Sequence, residues 1–247
     1  MSSPKYTTYL KLPFQFNKEK LVHDLSLLLD RTWTPHFNAK GYEGDWKVIS
    51  MYADDGDESN IFAHPSWIAK KLETPALQEC SYIKEVIDTF KCPILTARIL
   101  RLGVGAEILP HSDHELGYEN HNFRIHIPIC TNNEVQFVLD GEQLKMLAGE
   151  CWYTNVNYVH SVKNEGTSDR MHLVIDCERN EWSDALFFSL APEESFKARP
   201  AKSNSPETIK QIIESLKKIK EPASKQLIQK LTLELNELES ETNASPN

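Results

Sequence analysis

The sequence predicts a mainly β protein with flanking helices, its core a β-sandwich or barrel such as a jelly roll. Three observations carry that prediction. Between about Ile94 and Asp176, short runs of alternating apolar and polar residues are separated by closely spaced turn signals. Two of these runs are joined by Asp140-Gly141. Such a two-residue connection favours a tight hairpin, because both residues tolerate positive φ. On either side of this region the apolar period lengthens to that of a helix.

Residues 1 to about 93 combine helical and irregular signals and are expected to support the core. Asn17 has the chemistry of an N-cap, and Leu21, Val22, Leu25, Leu28 and Leu29 recur behind it at helical spacing. A loop-rich stretch follows, from Gly41 to Trp46 and on through acidic Asp54, Asp55, Asp57 and Glu58. From Pro75 to Phe90 the positions of Leu77, Tyr82, Ile83, Val86, Ile87 and Phe90 predict another helix. Strands are expected at Ala97–Leu102, Phe123–Ile129, Glu134–Leu139, Glu142–Met146, around Cys151-Trp152-Tyr153, near His160-Ser161-Val162 and at Met171–Ile175. After about Ala201, Ser205-Pro206 opens a helix with proline where its missing N–H costs nothing. Ile209, Ile212, Ile213, Leu216 and Ile219 form one apolar stripe. Beyond Pro222, Leu227, Ile228, Leu231, Leu235 and Leu238 form a second. The organisation expected is therefore a domain over 1–200, with its β core at about 94–180, and an amphipathic helical extension over 201–247. The extension would pack on the core or on a second subunit, the latter giving a homodimer.

Composition narrows the function classes. The chain has 247 residues and 28.3 kDa, with 27 Lys+Arg against 36 Asp+Glu and a formal charge of -9. It lacks the basic footprint of a nucleic-acid binder. Its apolar runs are far short of the roughly 20 residues that span a bilayer, so no membrane partner is expected. The N-terminus shows no apolar signal stretch, which points to a cytoplasmic protein. Five widely spaced cysteines without CxxC spacing argue against a disulfide framework.

The chemistry concentrates around His111-Ser112-Asp113. A His and a carboxylate two apart in extended chain share a face, and His160 offers a third ligand from a distant strand. Two imidazoles and one carboxylate leave coordination positions open, which suits non-haem Fe(II) better than structural zinc. The tripeptide alone is equally compatible with a surface histidine beside a solvated aspartate. Arg124 and His126 alternate with Phe123, Ile125 and Ile127, so both cationic types point to one face of a strand. Arg170 heads another strand. Arginines aimed at a core face are expensive unless they meet anions, and the dicarboxylate 2-oxoglutarate would supply them. A surface ion pair of Arg170 with Asp169 or Glu165 is the plainer alternative. Trp46, Asn122, Trp152, Asn155 and Tyr158 flank the ligands in sequence and are expected as substrate walls, together with the loop from Tyr118. His172 reads as a hydrogen-bonded neighbour of the site, His114 and His121 as loop residues, and Asp176 as a group that orients a ligand or ends its strand.

The stretch from Arg98 to Asp176 resembles the aspartyl/asparaginyl β-hydroxylase family of Fe(II)/2-oxoglutarate oxygenases. It carries Gly-x-x-x-x-Pro-His from Gly105 to His111, Arg-x-His at Arg124 and His126, and Thr131-Asn132. Gly-Glu-x-Trp-Tyr follows from Gly149 to Tyr153. The run ends on His160-Ser-Val-x-Asn164 and Asp169-Arg-x-His-Leu-Val-Ile-Asp176. Gly41-x-x-Gly44-x-Trp46 extends the likeness upstream. The resemblance implies a double-stranded β-helix (jelly-roll, cupin-like) core. It implies Fe(II) held by His111, Asp113 and His160, and Arg170 on the distal carboxylate of 2-oxoglutarate, helped by Arg124 and His126. Asp113 stands where the human-type enzyme has glycine, as in the bacterial members, and it argues against halogenation. Leu100 replaces a serine that touches 2-oxoglutarate in the human type.

The expected activity is O2-dependent hydroxylation of an amino acid, either an Asp/Asn-type residue in a peptide or protein or a free amino acid. A free L-proline-type hydroxylase is the alternative. A non-catalytic, cupin-like metal-binding sensor is the second, although it leaves Arg124 and Arg170 without a task.

Overall fold

The computed structural model describes residues 6–62, 71–199, 206–217, 227–229, 231–233 and 235–236. Strand β1 (Tyr9–Gln15) leads into helix α1 (Lys18–Ser26), where the Asn17 side chain accepts the Lys20 N–H at 2.9 Å. Short β2 (Thr34–Pro35) and β3 (Tyr42–Glu43) precede the long β4 (Trp46–Ala53), and β5 (Leu72–Glu73) follows. The helix predicted over Pro75–Phe90 is two, α2 (Pro75–Glu79) and α3 (Ser81–Ile87), broken at Cys80 with φ -105° and ψ 73°.

The cause of the break lies on another helix. Buried Asp24 of α1 accepts the N–H groups of Tyr82 at 2.8 Å and Ile83 at 2.9 Å, so α3 begins afresh on a carboxylate cap. Asp24→Ala leaves both donors, Ile83 buried and Tyr82 partly buried, without that acceptor. It is expected to cost about 2–3 kcal/mol, read as a lower urea midpoint at an unchanged slope.

The remaining strands are β6 (Ile94–Leu102), β7 (Glu107–His111), β8 (Asn122–Cys130), β9 (Val135–Leu139), β10 (Glu142–Leu144), β11 (Glu150–Thr154), β12 (His160–Asn164) and β13 (Arg170–Glu178). Helix α4 (Glu181–Phe188) follows them. The expected hairpin stands between β9 and β10, with φ 53° at Asp140 and 83° at Gly141.

Two antiparallel sheets result. The larger runs β1-β11-β8-β13-β6-β4-β2, with β5 beside β4, and the smaller runs β10-β9-β12-β7-β3. This is the jelly-roll core that the sequence predicts. The N-terminal region supplies more than helical and loop support, since β1 and β4 are strands of the large sheet. Their signal is weak for a physical reason. Both faces of β4 are covered, so its residues do not alternate in polarity.

Alternation in the large sheet sorts side chains into two compartments. Phe123, Ile125, Ile127, Leu173 and Ile175 pack with Leu21, Leu25, Ile83 and Val86 of the helices. Trp46, Leu102, Ile108, Phe137 and Val162 form a second cluster, drawn from both sheets. Arg98, Arg124, His126, Arg170, His172 and Asp176 take the positions that alternate with the helix-facing residues, so they point between the sheets.

The chain divides into two units, Met1–Ala198 and Arg199–Asn247. In the second, α5 (Pro206–Lys217) starts at Pro206 as its sequence predicts, and residues 227–229, 231–233 and 235–236 are helical. Ile209 and Ile213 cluster with Leu231, flanked by Ile212, Leu216, Ile228 and Leu235. The two stripes therefore bury one another. Ile219 and Leu238 lie outside the described residues. Among the described residues no helix is long and apolar enough to cross a membrane, and all five cysteines are free.

Candidate metal centre and its cavity

Strands β7 and β12 are neighbours, and their register sets His111 directly opposite His160 with ring centroids 4.2 Å apart. Each ring is turned by its own backbone. His111 Nδ1 lies 2.8 Å from the Leu109 carbonyl, and His160 Nδ1 lies 3.0 Å from that of Tyr158. A carbonyl only accepts, so each Nδ1 carries a proton and Nε2 is the nitrogen left to face a metal. Burial, then the neighbouring His111, lowers His160 to a pKa of about 4, so it is neutral near pH 7.

Asp113 follows the end of β7 and is pinned by its own N–H, which donates to the Val156 carbonyl at 2.8 Å. Its Oδ1 stands 3.8 Å from His111 Nε2. One ligand atom each from His111, Asp113 and His160 lie within 4.8 Å of one another. Two imidazole nitrogens and one carboxylate oxygen, all from one side, fit an open facial site for a divalent cation such as iron.

Behind Asp113 stands a chain of alternating charges. Arg124 donates through Nη1 to Asp113 Oδ2 at 2.6 Å, through Nε to Asp176 Oδ1 at 2.7 Å and through Nη2 to Asp176 Oδ2 at 3.0 Å. Asp176 also accepts from Arg98 Nη2 at 2.8 Å and Thr96 Oγ1 at 3.1 Å. Burial alone would raise the pKa of Asp176, but Arg124, Arg98 and these hydrogen bonds outweigh it and hold it at about 2. The same contest lowers Asp113, where burial is overcome by Arg124 and His160.

Arg170 is different. It is 1% exposed, its Nη2 donates to His172 Nδ1 at 3.0 Å, and its guanidinium lies 5.8 Å from the Phe137 ring centre. Among the described residues it has no carboxylate partner, and its Nε is buried without a hydrogen bond. Burial brings its pKa down to about 9, so it stays cationic near neutrality. Both ring nitrogens of buried His126 also lack partners. These orphaned groups fit the carboxylate oxygens of a small dianion.

The groups share one cavity of about 440 Å³, lined by His111, Asp113, His160, Arg124, His126 and Arg170. Its walls include Trp46, with His36 stacked on it at 3.5 Å between centroids. Burial first, then Arg98, lowers His36 to about 3, so this wall is uncharged. Phe37 and Phe62, both more than half exposed, meet at 5.4 Å where they line the cavity.

Of the expected substrate walls, only Trp46 lines this cavity. Asn122 turns away to donate to the Glu115 carbonyl at 3.0 Å. Trp152 packs on Tyr9 at 6.3 Å and donates to Glu150 at 3.0 Å. Asn155 donates to both oxygens of Glu119, at 3.1 and 2.9 Å, and Tyr158 packs on the second cluster. The Tyr118 loop belongs to the helix-side core, with Tyr118 stacked on Phe187 at 4.4 Å. Adjacency in sequence misleads here, because Trp152 and Tyr158 pack on the same inter-sheet cluster as Trp46 without lining the cavity, and the side chains of Asn122 and Asn155 are taken up by Glu115 and Glu119. Arg98 was legible by the argument that picks out Arg124, since it alternates with Ala97 and Ile99. His36 carries no such signal. It reaches the cavity because its N–H donates to the Trp46 carbonyl at 2.9 Å.

An L-proline cis-4-hydroxylase from Rhizobium meliloti (strain 1021) is 26% identical over 176 residues, covering 70% of this chain and 61% of that protein. An L-proline cis-3-hydroxylase 1 from Streptomyces sp is 25% identical over 196 residues, covering 72% of this chain and 66% of that protein. The chain thus covers less than two thirds of the length of either relative. A 2OG-Fe(II) oxygenase family oxidoreductase from Burkholderia pseudomallei superposes with a TM-score of 0.50 at 16% identity, over 70% of this chain and 86% of that one, a likeness of fold. The aspartyl/asparaginyl beta-hydroxylase family matches residues 15–180, from the end of β1 past the end of β13, and so takes in all three metal-site residues and Arg170. A match over most of the chain, agreeing with the site that the strands assemble, makes this protein a member of the aspartyl/asparaginyl β-hydroxylase family.

Proposed function

We propose that this protein is an Fe(II)- and 2-oxoglutarate-dependent hydroxylase whose substrate is a free amino acid of the proline type. One observation carries the reading: a His-Asp-His set and a buried arginine that has no carboxylate partner among the described residues line the same cavity. His111, Asp113 and His160 would hold the iron, which when bound supplies the O2 activation that couples decarboxylation of 2-oxoglutarate to hydroxylation. Arg170 receives the far carboxylate of the co-substrate, and His126 offers a further hydrogen bond to it. Trp46, His36, Phe37 and Phe62 supply an uncharged wall, which suits an aliphatic ring better than a side-chain carboxylate or amide. The names of the two proline-hydroxylating relatives support the same substrate class.

The test is succinate release by the anaerobically reconstituted Fe(II) protein across free amino acids and Asp- or Asn-containing peptides. Turnover stimulated most by L-proline or a close analogue is expected. Stimulation by the peptides alone would overturn the substrate, and no succinate with any of them would overturn the enzyme. Arg170→Ala is expected to raise the 2-oxoglutarate requirement roughly 10- to 100-fold, the worth of hydrogen bonds to a charged group. An unchanged requirement would place the clamp elsewhere.

A further inference from the structure

The family resemblance counts Arg124 with Arg170 as a co-substrate group, but the contacts of Arg124 describe another task. We propose that Arg124 is a positioning residue for the metal ligand Asp113, itself held in place by Asp176. This rests on the metal reading above.

Three nitrogens of the guanidinium are engaged, and all three meet carboxylate oxygens. Two of them grip Asp176 as a fork, which fixes the plane of the group as well as its position. Asp176 cannot follow a moving partner. It is 0% exposed and also held by Arg98 and Thr96. The third nitrogen, Nη1, takes Asp113 Oδ2 at 2.6 Å. Oδ1 is then the oxygen turned toward His111 Nε2, at 3.8 Å.

Held this way, Asp113 would offer a bound metal its Oδ1 alone. Asp113 needs that restraint, because it lies beyond the end of β7 and its side chain is 31% exposed. Unrestrained, it could rotate away or bind through both oxygens and close a coordination position that the co-substrate requires. Charge points the same way. Arg98 and Arg124 balance Asp113 and Asp176, so the cation left over for a dianion is Arg170.

Cobalt(II) as a spectroscopic stand-in for iron tests this without turnover. Wild type, Arg124→Leu, Arg124→Lys and Arg170→Ala are titrated with Co(II). The Co(II)-loaded proteins are then titrated with 2-oxoglutarate. Arg124→Leu is expected to weaken Co(II) about 10- to 100-fold, as loss of an outer partner of a metal ligand does. Its visible absorption band should shift, while 2-oxoglutarate affinity at saturating Co(II) is unchanged. Arg124→Lys keeps the charge, reaches one carboxylate and should restore part of the Co(II) affinity. Arg170→Ala should show the reverse split. If Arg124→Leu fails to fold, Arg124→Lys decides by the same titrations: full Co(II) affinity with weakened 2-oxoglutarate makes Arg124 a clamp and overturns the assignment. A wild-type protein that binds no Co(II) would instead sink the metal reading itself.

Discussion

Asp113→Ala is expected to abolish 2-oxoglutarate turnover in a protein that still folds. Two imidazoles remain, but the anionic ligand that offsets the charge of a divalent cation is gone. Loss of an outer partner alone typically costs 10- to 100-fold in metal affinity or activity, so loss of a direct ligand should exceed about 100-fold. The fold should tolerate the change, because Asp113 lies after the end of β7 and its side chain is partly exposed. Succinate release at saturating Fe(II), measured beside a thermal melt, checks both halves. Full activity would contradict the triad, and a collapsed melt would give Asp113 a structural role as well.

Asp176→Asn should have the opposite profile, with its first effect on stability. The substitution keeps the shape but removes the anion facing two buried guanidinium groups. Breaking one side of a buried ion pair costs about 3–5 kcal/mol, because the other side remains as uncompensated charge. For a chain of this length that should lower the melting temperature by roughly 10 °C. The wild type should show the matching acid dependence. The folded pKa of Asp176 is depressed from 3.8 to about 2, so the folded state favours the ionised form. That contribution, about 2 kcal/mol, is fully present above the unfolded value and is lost as pH falls from about 4 toward 2. Denaturant midpoints through this window should fall more steeply for wild type than for Asp176→Asn. Parallel curves would show that folding does not lower the pKa of this carboxylate.

Legibility in the sequence followed the range of the interactions involved. Asn17, Asp140-Gly141 and Pro206 act within a few residues, and the structure places the helix starts and the hairpin where they stand. The alternation of Arg124 and His126 with Phe123 and Ile125 was equally readable, since a strand has only two faces. The break at Cys80 was not, because the cap belongs to Asp24 on another helix. Strand β4 was hidden because it is buried on both faces. Of the residues expected as substrate walls, Trp46 lines the cavity and Asn122, Trp152, Asn155 and Tyr158 do not, since nearness along the chain does not fix which side chains reach one cavity.

The sequence by itself determined the β core, the candidate His111, Asp113 and His160 set and most of the charged groups turned inward, because periodicity and residue chemistry are local properties. Only the tertiary structure decided how those charges pair. Strand register sets Asp176 across from Arg124 on β8 and from Thr96 on β6, with Arg98 close by. That spends Arg124 on carboxylates and leaves Arg170 in the cavity with no carboxylate partner among the described residues. Pairing depends on distances between strands far apart in the chain, and a low-dielectric interior makes those few ångströms decide which cation remains to take a ligand.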